Sequence, residues 1–363
     1  MKIKAAVVYE ANKPYVIEEV DLAEPKAGEV LVKVAASGYC HTDEMIAGRE
    51  NSPLFPIVLG HEGSGIVEKV GPGVQRFAPG DRVSMSFSYC NECFACITGR
   101  PYACEQNGRL NFGGRSYDGT TRLTKDGVEL SNFFNQASFA THSVTHENNL
   151  VKIPDDMDLA LAAPLGCGVQ TGAGAVLNNL KPEPGSAIVI QGLGGVGMSA
   201  LMAAKVCGCS TIVAVDTVDY RLDVAMEVGA THVVNAKKND VVAFVKDLTK
   251  GLGADYAVAA TGAGANAREA LRCTGYFGGC AIIGSRGEMT LDIGFDLGGR
   301  LITGITEGCC IPSLFIPKLI HFYQNGRFPL DKIVKRYDFE DINKAAADSH
   351  SGATIKPVLV MKG

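Results

Sequence analysis

Basic tracts, internal repeats and a recognisable export signal are all missing from this sequence of 363 residues. Its net charge is −5 and no run of several lysines or arginines occurs, so a nucleic-acid-binding surface is not expected. The start, MKIKAAVVYEANKPY, alternates charged and apolar side chains and lacks the apolar core of a signal peptide. We therefore expect a cytoplasmic protein with no nucleic-acid partner.

Long uncharged stretches are scarce as well. The run SAIVIQGLGGVGMSALMAA, residues 186–204, is long enough to suggest a membrane span. Glycines interrupt its middle, however, and Asp216 and Arg221 follow soon after it. A buried strand, a glycine-rich turn and a buried helix explain the run better, so no membrane partner is expected.

The composition, with 46% hydrophobic and 20% charged residues, is that of a globular protein long enough for two domains. Residues 1–150 contain short alternating segments such as EVLVKVAAS between proline and glycine turns, which indicates a β-rich domain. From about Gly185, strand-like and helix-like segments alternate, which predicts an α/β domain with a doubly wound parallel sheet over 169–306. The tail ends in the strand-like IKPVLVM and is expected to return to the first domain.

The segment GLGGVG, residues 192–197, fits the dinucleotide-binding pattern G-x-G-x-x-G, with a strand before it and a helix after it. The first glycine makes the tight turn, the second lets backbone amides approach a pyrophosphate, and the third lets helix and strand pack closely. The helix N-terminus then faces the phosphate charge. The expected contacts in this loop are Gly192, Gly194, Gly195, Val196 and Gly197.

Asp216 ends the strand after this loop, where a carboxylate can accept hydrogen bonds from the ribose hydroxyls of adenosine. A 2′-phosphate at that position would meet like charge, which favours NAD over NADP. Arg221 keeps the alternative open, because a nearby arginine can accept such a phosphate.

Four of the twelve cysteines, Cys90, Cys93, Cys96 and Cys104, have the spacing C-x2-C-x2-C-x7-C. In a long chain without an export signal, metal binding or simple burial explains such cysteines better than disulfides do. Four thiolates close the coordination shell of zinc, so the predicted site is structural.

Three separated fragments, GYCHTDE, LGHEGSG and PLGCGVQTG, supply Cys40, His61 and Cys167. Two thiolates and one imidazole are a ligand set of catalytic zinc with an open fourth position. Taken singly, however, each residue has an ordinary explanation as a buried core side chain, and spacing alone makes the set only suggestive.

Taken together, these motifs and the segment SGATIKPVL make the sequence resemble the zinc-dependent medium-chain alcohol dehydrogenases over nearly its whole length. The segments FFNQASFATHSV and FIPKLIHFYQNGRFPLDKIV are similar to the aryl-alcohol (benzyl-alcohol) dehydrogenase branch. The resemblance implies a GroES-like catalytic domain from 1–168 and 307–363 and a Rossmann domain from 169–306. It also implies two zinc ions per chain, one catalytic and one structural, with NAD as the second cofactor.

The resemblance further implies a role for individual residues. Cys40, His61 and Cys167 would bind the catalytic zinc, with Asp43 orienting His61 and Glu62 able to approach the metal. Thr42 would take the substrate proton. In the cofactor site, His41 and Lys356 would lie near the pyrophosphate, Asp216 and Arg221 at the adenosine ribose, and Thr171 and Val196 beside the nicotinamide.

The expected reaction is the reversible, NAD-dependent oxidation of primary aryl or allylic alcohols to aldehydes through a zinc-bound alkoxide and hydride transfer. Thr42 would pass the hydroxyl proton to a ribose hydroxyl of the cofactor. Many family members continue this relay to a histidine at the position of Met45, and methionine cannot carry a proton. We therefore expect the proton to leave through the ribose and ordered water.

Alternatives remain at this stage. Within the family, they are a glutathione-dependent formaldehyde dehydrogenase and a geraniol-type alcohol dehydrogenase. A catalytically silent binding protein on the same scaffold is a more distant one, against which the intact Cys40, His61 and Cys167 set argues. Since the family is usually dimeric or tetrameric, we expect a homo-oligomer, with an edge strand near 301–305 pairing across a two-fold axis.

Overall fold

The computed structural model describes residues 1–284 and 287–362. The chain forms two compact units, with Met1–Cys167, Ile311–Ile320 and Val334–Gly363 in unit 1 and Gly168–Cys310 and His321–Ile333 in unit 2. Residues 168, 307–310 and 321–333 lie in unit 2, whereas the predicted boundaries assign them to the catalytic domain. The predicted boundaries themselves remain a prediction.

The N-terminal part of unit 1 is built mainly from short strands. Its elements are β1 (Lys2–Val8), β2 (Val16–Leu22), β3 (Glu29–Gly38), α1 (His41–Ala47), β4 (Ile57–Val58), β5 (Gly63–Val70), β6 (Arg82–Met85), α2 (Phe94–Ile97), α3 (Asn107–Phe112), β7 (Leu123–Lys125), β8 (Val128–Asn132), β9 (His142–His146), β10 (Leu150–Lys152) and α4 (Leu159–Ala162).

Unit 2 alternates strands and helices. Its elements are α5 (Gly168–Gly174), β11 (Ala187–Gln191), α6 (Gly195–Cys207), β12 (Thr211–Asp216), α7 (Asp219–Val228), β13 (His232–Asn235), α8 (Val241–Leu248), β14 (Ala254–Ala259), α9 (Gly264–Cys273), β15 (Thr274–Ile283) and β16 (Leu301–Ile305), with π-helical turns at Ala175–Leu180 and Ile293–Leu297. The remaining elements are α10 (Pro312–Gln324), β17 (Val334–Asp338), α11 (Ile342–His350) and β18 (Lys356–Val360).

Among the described residues of unit 1, strands β1, β2, β7, β8 and β4 close a small barrel. Alternation along β1, KIKAAVV, turns Ile3, Ala5 and Val7 into the barrel core. A second sheet has the order β10-β6-β5-β3-β18-β17, with β9 on β3. This β-rich unit confirms the fold class expected for the first part of the chain.

The second sheet of unit 1 brings distant parts of the sequence together. Strand β3 pairs antiparallel with β5, so that Ser37 lies opposite Gly63, and the amide of Gly38 donates to the Glu62 carbonyl oxygen at 3.0 Å. On its other side, β3 pairs with β18, where Val358 lies opposite Gly38. The residues that follow β3, precede β5 and begin β18 therefore meet at one end of the sheet.

Unit 2 contains a parallel sheet whose order among the described residues is β13-β12-β11-β14-β15-β16. This is the doubly wound order: β12 and β13 are added on one side of β11, and β14, β15 and β16 on the other. Ligands bind at the carboxyl ends of the strands where this order switches, between β11 and β14. Val189, Val213 and Val258 are fully or almost fully buried, as expected for strands covered on both faces.

No single helix among residues 1–284 and 287–362 is long and apolar enough to cross a membrane. One bent pair, Leu159–Gly166 with Gly168–Leu180, meets the same test by length and composition alone.

Candidate active site

Three potential metal ligands meet where β3 ends and β5 begins. Cys40 follows β3 as the residue before α1, His61 precedes β5, and Cys167 is the last residue of the first segment of unit 1. Their ligand atoms, together with a carboxylate oxygen of Glu62, all lie within 4.8 Å of one another. The antiparallel pairing of β3 with β5 thus assembles a site that the linear spacing of these residues does not reveal.

The hydrogen bonds of His61 leave one ring nitrogen for a metal. Its side chain is fully buried, and Nδ1 lies 2.9 Å from Oδ1 of Asp43, to which it donates. Asp43 is itself held by the backbone amides of Gly60 at 3.0 Å and Cys40 at 3.2 Å. Nε2 is buried without a hydrogen-bond partner in the described structure. A buried acceptor without a partner is costly, and a metal ion beside two thiol groups would satisfy it.

The charge environment also suits a cation. Hydrogen bonding to Cys167 lowers the pKa of Cys40 well below its ordinary value, and the neighbouring His61 lowers it further, against the effect of burial. Burial lowers the pKa of His61, but the Asp43 carboxylate more than offsets this and raises it well above the ordinary value. The site therefore favours a thiolate at Cys40, and this thiolate and the Asp43 carboxylate favour a positive charge at His61. A metal ion on Nε2 can supply that charge in place of a proton.

A buried ion pair lies against the same site. Glu62 Oε2 is 2.5 Å from Nζ of Lys356, which also donates to the Tyr39 carbonyl oxygen at 3.0 Å. Burial raises the pKa of Glu62, whereas for Lys356 the Glu62 carboxylate outweighs burial and raises the pKa. A Cβ atom at Gly38 would lie 2.0 Å from the Glu62 carboxylate, so only glycine leaves room for this pair.

Helix α1 carries the other residues predicted at this site. Thr42 is half-buried, and its Oγ1 lies 3.7 Å from Cys40 Sγ. His41 is exposed at the first position of the helix, and Met45 is half-buried one turn later. Thr42 thus lies within reach of a metal ligand. The predicted contacts of His41 and Lys356 with a pyrophosphate remain predictions.

The four-cysteine segment forms a second cluster. Its sulfur atoms lie 3.5 Å apart for Cys104 and Cys90, 3.9 Å for Cys90 and Cys96, and 4.0 Å for Cys93 and Cys104. Zinc–sulfur bonds of about 2.3 Å in a tetrahedron place sulfurs about 3.8 Å apart, so the spacing fits one zinc ion. Backbone amides lower the pKa of Cys93 to about 6, and all twelve cysteines are free of disulfides.

In unit 2 the glycine-rich loop has the geometry expected of a phosphate-binding turn. Gly192 has φ +90°, and a Cβ atom at Gly197 would lie 1.7 Å from the Gly192 carbonyl oxygen. A Cβ at Gly194 would meet no atom within 4 Å, so the loop is open at the position expected to face a pyrophosphate. Gly195 then begins α6. The loop thus fits a dinucleotide at the carboxyl end of β11.

Asp216 lies beside this loop at the end of β12. Its Oδ2 accepts from the Leu193 amide at 2.7 Å, and its Oδ1 accepts from the Thr217 amide at 2.7 Å. Arg221 Nη1 lies 3.7 Å from the same carboxylate, and its buried Nε has no hydrogen-bond partner in the described structure. Asp216 is therefore fixed against the loop, with an arginine beside it.

The residues predicted beside the nicotinamide lie on two packed helices of unit 2. Thr171 is buried on α5, and Val196 is half-buried on α6. A Cβ at Gly172 would lie 1.9 Å from the Val196 carbonyl oxygen, so the two helices touch closely here. Gln170, next to Thr171, donates through Nε2 to Glu307 Oε2 at 3.1 Å, a contact that no sequence motif had indicated.

The geometry of both units agrees with the comparisons to known proteins. A family model described as the alcohol dehydrogenase GroES-like domain matches residues 26–155, and one described as zinc-binding dehydrogenase matches residues 195–313. Geraniol dehydrogenase of Castellaniella defragrans is 42% identical, over 98% of this chain and 97% of that protein. S-(hydroxymethyl)glutathione dehydrogenase of Paracoccus denitrificans is 35% identical, over 99% of this chain and 100% of that protein.

Among solved structures, benzyl alcohol dehydrogenase from Acinetobacter calcoaceticus is similar with a TM-score of 0.95 and 43% identity, covering 100% of both chains. An alcohol dehydrogenase zinc-binding domain protein from Burkholderia ambifaria has a TM-score of 0.97 and 44% identity over 100% of both chains.

The fold and the two cysteine clusters define a zinc-binding oxidoreductase. The chain belongs to the zinc-dependent alcohol dehydrogenases of the medium-chain type. Its cofactors are zinc and NAD, and the four-cysteine cluster is its structural zinc site. These results confirm the family, the fold class and the cofactors expected from the sequence.

Two features of the metal site escaped sequence reasoning. The first is the pairing of Lys356 with Glu62, for which the sequence carries no local signal because the partners lie in distant segments. The second is the contact of Phe133 and Phe134 with the His61 ring. The segment FFNQ entered the sequence analysis only through the family resemblance, although two consecutive aromatic residues directly after a strand are themselves a signal of packing.

Proposed function

We propose that the chain oxidises primary aryl or allylic alcohols to aldehydes, reversibly and with NAD, at the site formed by Cys40, His61 and Cys167. The observation that carries the proposal is the buried Nε2 of His61, which lacks a hydrogen-bond partner in the described structure and lies beside two thiol groups. When bound there, zinc would lower the pKa of an oxygen ligand and polarise a carbonyl group, while NAD accepts hydride.

The side chains around the metal position would divide the remaining work. Asp43 keeps the proton on His61 Nδ1, so that Nε2 presents its lone pair. The hydroxyl of Thr42 takes the proton of the substrate hydroxyl. The Lys356 ammonium compensates the charge of Glu62, so that this carboxylate remains close to the ligand set without adding a full negative charge.

Aryl or allylic substrates are supported by two kinds of observation. The relatives at 42% and 43% identity are named for geraniol and benzyl alcohol, whose hydroxyl-bearing carbons both adjoin a π system. In this chain, the rings of Phe133 and Phe134 lie beside His61, with centroid distances of 5.4 and 4.7 Å. Aromatic surroundings favour a flat, apolar substrate group.

Steady-state kinetics across a substrate panel would test the proposal. With NAD, we expect the highest kcat/KM for benzyl alcohol or geraniol and lower values for short aliphatic primary alcohols. A preference for S-(hydroxymethyl)glutathione would instead favour the second candidate, which the relative at 35% identity suggests. If the zinc-loaded chain turned over none of these alcohols, the proposed reaction would be wrong.

The preference for NAD over NADP is expected to depend on the charge of Asp216. Asp216→Asn keeps an oxygen for the Leu193 amide but removes the charge, so the NAD/NADP ratio of kcat/KM should fall by about tenfold or more. Asp219→Asn, at an exposed carboxylate paired with Lys238, is the matched control and should leave the ratio unchanged. An unaltered ratio in Asp216→Asn would remove Asp216 from the proposed ribose site.

We also propose that β16 pairs with a second copy of the chain. Within the described residues β16 has a neighbour only on the β15 side, and the side chain of Leu301 is 71% exposed. Phe277, Phe295 and Ile293 are also exposed on nearby segments of unit 2. An open strand edge flanked by exposed apolar side chains is typical of a subunit interface.

Leu301→Lys is therefore expected to shift the protein toward monomers, because it places a charge in the proposed interface. Light scattering coupled to size-exclusion chromatography measures the mass. Leu252→Lys, at another leucine of unit 2 that is 78% exposed, should leave the mass unchanged. If both variants kept the mass of the unaltered protein, β16 would not form the interface.

A further inference from the structure

The segment Phe133–Ala137 has an unusual backbone. Phe134, Asn135 and Ala137 have φ values of +52°, +53° and +50°, in the left-handed region that side chains with a Cβ atom rarely adopt. For a bulky residue such as phenylalanine this conformation is an outlier, and it persists only where the surroundings enforce it. The segment is fully buried, so the enforcing contacts lie inside unit 1.

Several of those contacts come from the residues that lead into the four-cysteine lobe, defined here as residues 90–112. The Phe134 carbonyl oxygen accepts from Ser88 Oγ and from Asn149 Nδ2, both at 3.2 Å. Gln136 Nε2 donates to the Ser86 carbonyl oxygen at 2.6 Å. Ser86 and Ser88 lie just before Cys90, so the chain that enters the lobe is one of the parts that hold the strained segment.

The strained backbone directs two rings at the His61 imidazole. The ring of Phe134 lies 4.7 Å from it at a 35° tilt, and the ring of Phe133 meets it edge-on at 5.4 Å and 85°. The hydrogen bond from His61 Nδ1 to Asp43 restricts rotation of the imidazole about its Cβ–Cγ bond, and packing restricts the tilt that remains. The two rings supply that packing, and together with Asp43 they set the direction in which Nε2 points.

The same two rings touch the lobe directly. Phe112 is the last residue of α3, the helix that follows Cys104, and it packs on Phe134 at 5.2 Å and on Phe133 at 5.9 Å. Its neighbour Asn111 is bound on both sides to Ser88, accepting from the amide at 2.8 Å and donating to the carbonyl oxygen at 3.0 Å. A continuous set of contacts therefore runs from α3 through Phe112 and Phe134 to His61.

We propose that Phe134 is a positioning residue for the metal-binding nitrogen of His61, and that Phe112 couples the four-cysteine lobe to it. A folded lobe would then increase metal retention at Cys40, His61 and Cys167 without supplying any ligand there. The proposal rests on the proposed metal site but not on the proposed reaction, because its test measures metal retention rather than turnover.

The test compares Phe112→Leu, Phe134→Leu, the double variant and Phe339→Leu in the zinc-loaded full chain. A chromophoric chelator in excess reports zinc release, and cadmium-113 NMR of cadmium-loaded protein assigns each loss, since its shift depends on the number of thiolate ligands. Phe339 is a fully buried phenylalanine of unit 1 and is the packing control. Circular dichroism monitors folding, with Phe112→Met as a milder substitute at this half-buried position.

We expect Phe112→Leu to speed zinc release from the Cys40, His61 and Cys167 site by about threefold to tenfold. This effect would be indirect, because Phe112 packs on Phe134, which in turn packs on His61. Phe134→Leu should speed it at least as much. In the double variant the effects should be less than multiplicative, because Phe112 acts mainly through Phe134, the nearer of the two rings that it contacts. In cobalt-loaded protein, Phe134→Leu should also alter the visible spectrum of the two-thiolate site, a change that general loss of stability would not produce.

Three results would overturn the proposal. The first is an unchanged release rate in folded Phe112→Leu or Phe112→Met protein. The second is an equal acceleration in Phe339→Leu, which would indicate a general packing effect. The third is multiplicative effects in the double variant, which would show that the influence of Phe112 does not pass through Phe134. Loss of turnover with normal zinc retention in the unaltered chain would count against the proposed reaction alone.

Discussion

Cys167→Ser is expected to remove the zinc of the Cys40, His61 and Cys167 site and to lower kcat for alcohol oxidation by about a thousandfold or more. The substitution leaves two protein ligands and exchanges a thiolate for a hydroxyl that binds zinc poorly. The free energy at stake is several kcal/mol of transition-state stabilisation, which is the contribution expected of a Lewis-acid metal. Zinc content by elemental analysis and steady-state kinetics measure the two effects.

The control for this prediction is Cys207→Ser, which alters a half-buried cysteine at the end of α6, outside both clusters. That variant should keep both zinc ions and nearly all activity. A Cys167→Ser protein that retained two zinc ions and full turnover would contradict the assignment of the site. Loss of both zinc ions would point instead to a general failure of folding in unit 1.

Thr42→Ala is the second variant with a large expected effect. Removing the hydroxyl should lower kcat by about a hundredfold or more, since positioned proton transfer contributes on that scale. Thr42→Ser retains the Oγ atom near Cys40 Sγ and should keep most of the activity. Both variants should retain the full zinc content, because Thr42 is not a ligand.

Comparison of the two Thr42 variants separates proton transfer from packing. If Thr42→Ser lost as much activity as Thr42→Ala, the methyl group rather than the hydroxyl would matter, and the proton relay would be wrong. If Thr42→Ala kept normal turnover, the substrate proton would leave by another group. The pH profile of kcat in Thr42→Ala distinguishes a slower proton step from a loss of substrate binding.

Some elements were predictable from the sequence because their signals are local. The segment GSGIVEKVG forms β5, SAIVIQG contains β11, and the segment IKPVLVM contains β18, each with the expected apolar pattern. The four-cysteine spacing and the loop at 192–197 were likewise predictable, because one short segment supplies the whole arrangement. In such cases the chemistry and the local geometry are encoded in the same few residues.

The remaining parts of the site depend on distant contacts. Cys40 and His61 meet because β3 pairs with β5; the residue types and the family resemblance predicted this ligand set, but no local pattern predicted the pairing. Lys356 reaches Glu62 because β18 pairs with the other side of β3, and Gly38 leaves the space. The left-handed backbone of Phe134 opposes the local preference of phenylalanine, so no propensity argument could have placed its ring on His61.

The most direct test of the central claim is the fate of deuterium in benzyl alcohol labelled twice at its carbinol carbon. Incubated with NAD and the zinc-loaded chain, this substrate should give benzaldehyde retaining one deuterium and NADH carrying the other, detected by mass spectrometry. The same incubation with Cys167→Ser protein should give neither labelled product above about a thousandth of that rate. Unlabelled NADH, or equal transfer by the Cys167→Ser protein, would contradict hydride transfer at this zinc site.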